Sequence, residues 1–522
     1  MKKIKLLSMT AMLLTTVAGS AQVIDFSIEE EKNSQNTPEG WENVQLPDLP
    51  EFTAENTFYI TDAQFGASTS SADNTAAIQK ALDEAAAKGG GMVVIPEGEF
   101  ISNTIEMGSK TVLHLCKGAV LKWMAYEDRS HTVQNNFITH KGTPTDVVIE
   151  GEGPTSIIEG QGGPWWDAVE KKEDGLKRGS VIRFGKGNRF LFRNFRIQNA
   201  PGTNLTVGQS GNGAHATVHD IDIYAPSSTA ADPSHNTDGI PVWTQYVNIY
   251  NCTIDTGDDN VVCDSQAQYV HVWNCKFKAG HGASFGSYTT DMHHIIYEDL
   301  TLEGTDCGFR LKSNRDRSGD VHDIIFRRCK MTNVPTPIVI TAWYDSHPNP
   351  ADAAKSPEEV ISTTPKFHNI LIQDVTAEGY VDGKNSNNKN YNGINIYGRP
   401  ESPVYDVTFD NVQISHRNGV RFYFCKDIKF INDCKFTRTK DNKTVLSTDT
   451  DLSAVTEEIY DAAYTWHGND TDTGGIDAIL ASDPSLKAAG WYDLNGRKVA
   501  DCYSPQLPKG IYIVNGRKVI IK

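Results

Sequence analysis

Short apolar runs whose side chains alternate with polar ones recur along most of this chain, and between Asn236 and Lys312 four polar islands interrupt them. The islands read Asn236-Thr237-Asp238, Gly257-Asp258-Asp259, Gly280-His281-Gly282 and Arg310-Leu311-Lys312. Two intervening stretches nearly repeat: VNIYNCTIDTGDDNVVC from Val247 is followed 23 residues later by VHVWNCKFKAGHGASFG from Val270. Asp258 lies six residues after Cys252 and His281 six after Cys275, so a fold that stacks the repeats stacks Asp258 on His281.

An acid or amide followed by an apolar residue recurs as Asn194-Phe195, Asp220-Ile221, Asn251-Cys252, Asn274-Cys275, Asp299-Leu300, Asp374-Val375, Asn411-Val412 and Asp433-Cys434, with Arg328-Cys329 as the odd member. The steps range from 22 to 46 residues. Helical and leucine-rich solenoids keep their period, whereas a wandering step with period-two flanks describes strands of fixed length joined by turns of variable length. The expectation is an all-β, single-stranded parallel β-helix, with coils about 4.8 Å apart and the Asn/Asp ladder at a turn, bonding the local backbone.

Other patterns bound this solenoid. Asp73-Asn74-Thr75 predicts the N-cap of a helix over Ala76 to Lys88, with Ile78, Ala81, Leu82 and Ala85 on one face and Gly89-Gly90-Gly91 as the stop; it suits a cap on the open end. Trp165-Trp166 opens a charged loop. Residues 1–21 combine a basic start, an apolar run of about 14 residues and Gly19-Ser20-Ala21, which predicts an export signal; a spanning helix needs ~20 residues. Residues 22–56 read as an arm or linker, 57–436 as the β-helix, 437–488 as a polar linker and 489–522 as a small β-domain with Asn495-Gly496 and Asn515-Gly516 turns. Residues 469–475 faintly resemble a calcium loop without a complete ligand set.

Composition changes the picture in two ways. The formal charge of −17, or −20 once Lys2, Lys3 and Lys5 leave with the signal, argues against nucleic acid as partner, while Arg310 and Lys312 can still concentrate positive charge for an acidic ligand. Of nine cysteines, Cys252, Cys275, Cys329 and Cys434 fill the apolar ladder position, so they are expected as core thiols rather than a disulfide framework; a Cys252–Cys275 bridge is the lesser alternative.

Asp238, Asp258 and Asp259 with His281 place carboxylates and an imidazole on neighbouring coils, and Arg310 with Lys312 share one outer face. Acids beside cations suit hydrolysis of an anionic sugar, because one carboxylic acid must protonate the glycosidic oxygen while a carboxylate activates water. Asp258 and Asp259 would face opposite ways on a straight strand, so a bend at Gly257 is expected.

The ordered set Asn-Thr-Asp, Gly-Asp-Asp, Gly-His-Gly and Arg-Leu-Lys resembles the signature of the polygalacturonase family (glycoside hydrolase family 28) over about Phe58 to Phe436. The resemblance implies a right-handed β-helix acting on pectin, homogalacturonan first, without a metal or cofactor and as a secreted or surface monomer. It implies Asp258 as general acid, Asp238 and Asp259 as the water-activating pair, His281 as support of the acid, and Asn236, Arg310, Lys312 and Tyr344 as substrate binders. Inversion is implied too, although coil stacking sets Asp238 and Asp258 about 4.8 Å apart, closer than the ~6.5–9.5 Å usual for inverting pairs. Many members carry cysteine where Asn260 stands, so that disulfide is not expected here. YDLNGRKV and LPKGIYIVNGRKVIIK resemble the C-terminal sorting domain of the type IX secretion system, implying that machinery as a partner. A calcium-dependent pectate lyase working by β-elimination, or a non-catalytic surface solenoid, remain the alternatives.

Overall fold

The computed structural model describes residues 24–209, 214–226, 233–344, 357–380, 391–448, 450, 491–492, 498–500, 510–514 and 517–521. The export signal, residues 469–475 and the two Asn-Gly turns lie outside the described residues.

Each central coil has three strands. One coil runs Gln245–Tyr250, Thr253–Asp255 and Val261–Cys263, and the next runs Gln268–Trp273, Lys276–Phe277 and Ala283–Phe285. They stack in parallel with Val247 on Val270, Ile254 on Phe277 and Val261 on Ala283. The 23-residue offset read from the repeat holds for the first two strands and falls to 22 in the third, because the turn between them is one residue shorter. Repetition of this stacking builds a right-handed parallel β-helix, with third strands in an eleven-stranded sheet and the others in a 24-stranded one.

The ladder residues occupy the turn between first and second strands, for a reason beyond local bonding. Asn194, Asp220, Asn251, Asn274, Asp299, Asp374, Asn411 and Asp433 all have φ between 50° and 59°. Asn and Asp tolerate this left-handed region better than other side chains, so the turn selects them. Several of their side chains bond up the stack: Asn274 Nδ2 donates to Asn251 Oδ1 at 2.7 Å and Asn411 Nδ2 to Asp374 Oδ1 at 2.7 Å. Arg328 has φ 52° and reaches Asp299 with two nitrogens, at 2.7 and 2.8 Å.

The interior is apolar from end to end, with Phe100, Phe190, Phe192, Phe277, Phe309 and Phe326 in one continuous core. Cys252, Cys275, Cys329 and Cys434 are buried free thiols in it. The helix spans Thr75–Ala87, buries Ile78, Ala81, Leu82 and Ala85, and packs on the first coils. Its capping differs from expectation: the Asn74 side chain turns away to Ser68 and Ile101, and Asp73 Oδ1 accepts the Thr75 N–H at 2.8 Å.

Three segments depart from the sequence pattern. Trp165 and Trp166 sit buried in a helix, Gly163–Glu170, instead of a loop. Regular structure continues past Phe436, since Lys443–Ser447 returns antiparallel on Lys435–Arg438 and closes the last coil. The arm carries a helix, Glu29–Ser34, and lies along the first-strand column, where Trp41 meets Tyr269 edge-on at 5.5 Å. At the C-terminus, strands Trp491–Tyr492, Lys498–Ala500, Gly510–Val514 and Arg517–Ile521 form a separate antiparallel sheet.

Candidate active site

The four islands meet at the edge of the eleven-stranded sheet, where the turns into three consecutive third strands carry Asp238, then Asp258 and Asp259, then His281. Backbone pairing fixes their heights: the Gly239 N–H donates to Asp259 O at 2.8 Å and the His281 N–H to Asp258 O at 3.0 Å. Gly257 is needed because a Cβ there would lie 2.0 Å from Ser234 O. Gly282, at φ +81°, would place a Cβ 2.1 Å from Cys307 O.

Asp258 and Asp259 converge on His281, whose Nδ1 lies 3.0 Å from Asp258 Oδ1 and 3.7 Å from Asp259 Oδ1. Asn236 Nδ2 donates to Asp258 Oδ2 at 3.2 Å. Phe309 and Leu311 point into the core, so Arg310 and Lys312 emerge on the acid side. Both then rest on Asp259, with Arg310 Nη1 2.8 Å from Oδ1 and Lys312 Nζ 2.7 Å from Oδ2. Tyr344 covers them, its ring centre 5.8 Å from the Arg310 guanidinium and 5.2 Å from Lys312 Nζ. All eight residues singled out in the sequence therefore share one mouth, but the two expected substrate cations are engaged by Asp259.

The electrostatics are divided. Burial and the neighbouring Asp258 and Asp259 charges push the Asp238 carboxyl well up. Burial would raise Asp259 too, but Lys312, Arg310 and His281 hold it well below the usual range. Burial and the Asp259 charge would raise Asp258, but its bond to His281 together with the His281 and Lys312 charges lowers it. His281 is pushed up: burial and Arg310 oppose its charge, but Asp258, Asp259 and Asp306 prevail. Nearby, burial raises Asp264 to about 8. The site thus sets two neighbouring carboxyls apart in proton affinity, Asp238 raised and Asp259 lowered, the division that acid/base chemistry needs.

Asp258, Asp259 and His281 also have ligating atoms within 4.8 Å of one another. Two side-chain cations already neutralise Asp259, which leaves little charge to draw a divalent metal.

Several members of the site carry no sequence signature. Arg178 reaches in from 58 residues upstream to bond Asn236 Oδ1 at 2.7 Å and the His235 carbonyl. Asp306 lies 3.4 Å from His281 Nε2, and Ser284 Oγ donates to Asp259 Oδ1 at 2.5 Å. Asn260 ties two turns together, donating to Ile254 O and Ala279 O and accepting the Gly282 N–H at 2.8 Å. Asp306 could have been suspected from its place four residues before Arg310; an isolated Arg178 could not.

Beside the acids, Arg310, Lys312, Trp343, Tyr344 and Tyr397 line a pocket of about 150 Å³. A larger groove, about 650 Å³, runs along the N-terminal coils; Glu99, Glu127 and Glu159 line it against one cation, Lys122, which is paired with Glu99 at 3.1 Å, so its balance disfavours an anionic sugar.

Residues 92–436 match the sequence model described as Glycosyl hydrolases family 28. An endo-polygalacturonase from Pectobacterium carotovorum subsp. carotovorum is 29% identical over 337 residues, covering 58% of this chain and 77% of the relative. Two solved structures share the fold. A polygalacturonase from Erwinia carotovora ssp. carotovora aligns at TM-score 0.58 and 23% identity over 76% of this chain and all of the other. An exopolygalacturonase from Thermotoga maritima aligns at TM-score 0.58 and 19% identity, over 76% and 92%.

Proposed function

The chain belongs to the glycosyl hydrolases of family 28, and from that premise we propose that it hydrolyses the α-1,4-galacturonosidic bonds of pectin, homogalacturonan first, as a monomer. The observation that carries this reading is one mouth in which Asp238, Asp258 and Asp259 stand beside Arg310 and Lys312. The polygalacturonases among its relatives support the same substrate.

Asp258 is the general acid. In the resting site His281 holds it ionised, so the donor form must arise on binding: an anionic sugar brings negative charge to the acids and raises their proton affinity. His281 also fixes the carboxyl's direction. Asp259, ionised and anchored by Arg310, Lys312 and Ser284, activates water together with Asp238. The substrate carboxylate competes with Asp259 for Arg310 and Lys312, and Tyr344 offers a ring face to the sugar.

A second reading exchanges two roles. Asp238 is the carboxyl pushed well up, so it can be the proton donor with Asp258 as base. A nitrophenyl galacturonide separates them, because its leaving group needs no proton: only the acid's Asn variant keeps activity on it.

The domain division is part of the proposal: residues 1–21 direct export, 22–56 form an arm, 57–436 the catalytic β-helix with Lys443–Ser447 closing its last coil, the rest of 437–488 a linker and 489–522 a type IX sorting domain. Among the described residues, no helix is long and apolar enough to cross a membrane. Deleting residues 490–522 should leave activity intact and stop delivery to the surface or medium. Product profiling on polygalacturonate tests the activity: galacturonate oligomers or monomer are expected, and an unchanged polymer overturns the reading.

A further inference from the structure

Far along the chain from the acids, two turns on neighbouring coils bring three different donors together. His114 is the next-to-last residue of the strand Thr111–Leu115, Cys116 follows that strand, and Glu152 follows the strand Thr145–Gly151. One ligating atom from each lies within 4.8 Å of the other two. Strand register places His114 opposite Glu150, and Glu150 opposite Arg193 on the next coil.

That register orients the imidazole. His114 Nδ1 bonds Glu150 Oε1 at 2.8 Å, and Glu150 is itself clamped by Arg193 Nε at 3.0 Å and Nη2 at 2.7 Å. Arg193 is held in turn by Glu31 and the Ser27 carbonyl. The other ring nitrogen, Nε2, is thereby aimed at Glu152 Oε1, 3.2 Å away, while Glu152 Oε2 accepts the Lys117 N–H at 2.9 Å. A buried carboxylate on one nitrogen of a histidine whose other nitrogen faces a thiol and a second carboxylate is the arrangement that supports metal-ligating histidines.

We propose that His114, Cys116 and Glu152 bind a borderline transition-metal cation, zinc or its like, with water completing the fourth position. The donor set selects the class: thiolate and imidazole disfavour calcium and magnesium, which take oxygen ligands. The geometry is close to what is needed. Zinc–ligand lengths of about 2.0–2.3 Å give tetrahedral edges of roughly 3.3–3.8 Å, so the His114–Glu152 separation of 3.2 Å is already near an edge, and the thiol lies within 4.8 Å of both. Cys116 is half-buried and Glu152 exposed, so a cation can enter from solvent. On binding, the Cys116 thiol and the Nε2–Glu152 hydrogen bond each release a proton to water as the metal bonds to sulfur, nitrogen and oxygen form. The site joins two turns on consecutive coils beside the helical cap and includes none of the mouth residues. Its metal should therefore stabilise the fold without altering turnover.

The test uses the full chain, stripped with chelator and titrated with cobalt(II) or zinc. Cobalt should bind once per chain with a near-ultraviolet thiolate-to-cobalt band and the visible bands of tetrahedral coordination, and zinc should displace it. Zinc should also raise the melting temperature. Cys116→Ser should abolish the thiolate band and the zinc-dependent rise, and Glu152→Gln should weaken binding at least tenfold, both variants folding normally without metal. Absence of any thiolate band, its survival in Cys116→Ser, or an equal zinc-dependent rise in that variant would overturn the proposal; those outcomes would leave His114 as a hydrogen-bonded bridge between two glutamates.

Discussion

Two columns of stacked polar side chains climb this solenoid, one under the N-terminal arm and one at the mouth, and they treat charge in opposite ways. In the first, strand register lines up His114, Glu150, Arg193, His219, Tyr250, Trp273, Glu298 and Arg327. Its carboxylates meet cations: Glu150 has Arg193 and His114, while Glu298 has His271 at 3.0 Å, Arg327 at 2.6 Å and Arg328 at 2.9 Å. Those partners overcome burial and lower the Glu298 carboxyl to about 2. The arm adds Glu31 on Arg193 and His219, and Ser34 on Tyr250. At the mouth Arg310 and Lys312 both rest on Asp259, while burial and the charges of Asp258 and Asp259 push the Asp238 carboxyl well up. Stacking alone brings charges together in both places; only the uneven compensation at the mouth sets neighbouring carboxyls apart in proton affinity.

The largest effect that can break this contrast is on turnover. Asp258→Asn should lower hydrolysis of polygalacturonate by about 10²–10⁴-fold, the usual worth of a general acid, with a melting temperature within a degree or two of wild type. Near-normal turnover would remove Asp258 from the chemistry.

Arg310→Ala should come next. Loss of the cation should cost more on polygalacturonate than on heavily methyl-esterified pectin, by roughly tenfold or the factor expected for one charge-assisted bond, since the ester has no charge to pair. Equal losses would confine Arg310 to anchoring Asp259.

For the arm-covered column the readout reverses. Glu298→Gln should lower the melting temperature by several degrees, because it leaves His271 and Arg327 without their carboxylate, and should leave turnover at 25 °C unchanged. The sign with pH follows from the lowered carboxyl, near 2 in the fold against 4.5 ordinarily. Its stabilisation is complete above the ordinary value and is lost as pH falls toward 2, so the wild-type melting temperature should drop through that window and the variant's more gently. Parallel curves would mean that Glu298 adds nothing specific.

How much of this was legible in sequence depends on what sets each position. The Asn251 and Asn274 turns were readable because a left-handed φ selects Asn or Asp at every ladder position but that of Arg328, and Asp258 over His281 followed from counting from Cys252 and Cys275. The mouth followed because short strands hold their register. Arg178, the Trp165-Trp166 helix and the docking of Glu31 on Arg193 were not readable, because each depends on a segment of irregular length brought back by tertiary contacts. The resting engagement of Arg310 and Lys312 by Asp259 was also hidden: sequence places two cations on one face but does not say which acid they meet.

The claim that the acids of the mouth deliver a proton and activate water is tested most directly by digesting polygalacturonate with the full chain in excess chelator, following reducing ends and ultraviolet absorbance together. Hydrolysis predicts one new reducing end per cleavage at flat absorbance, since both products are saturated sugars. Absorbance rising in step with reducing ends, or silence until calcium is restored, would contradict it and assign the bond breaking to β-elimination.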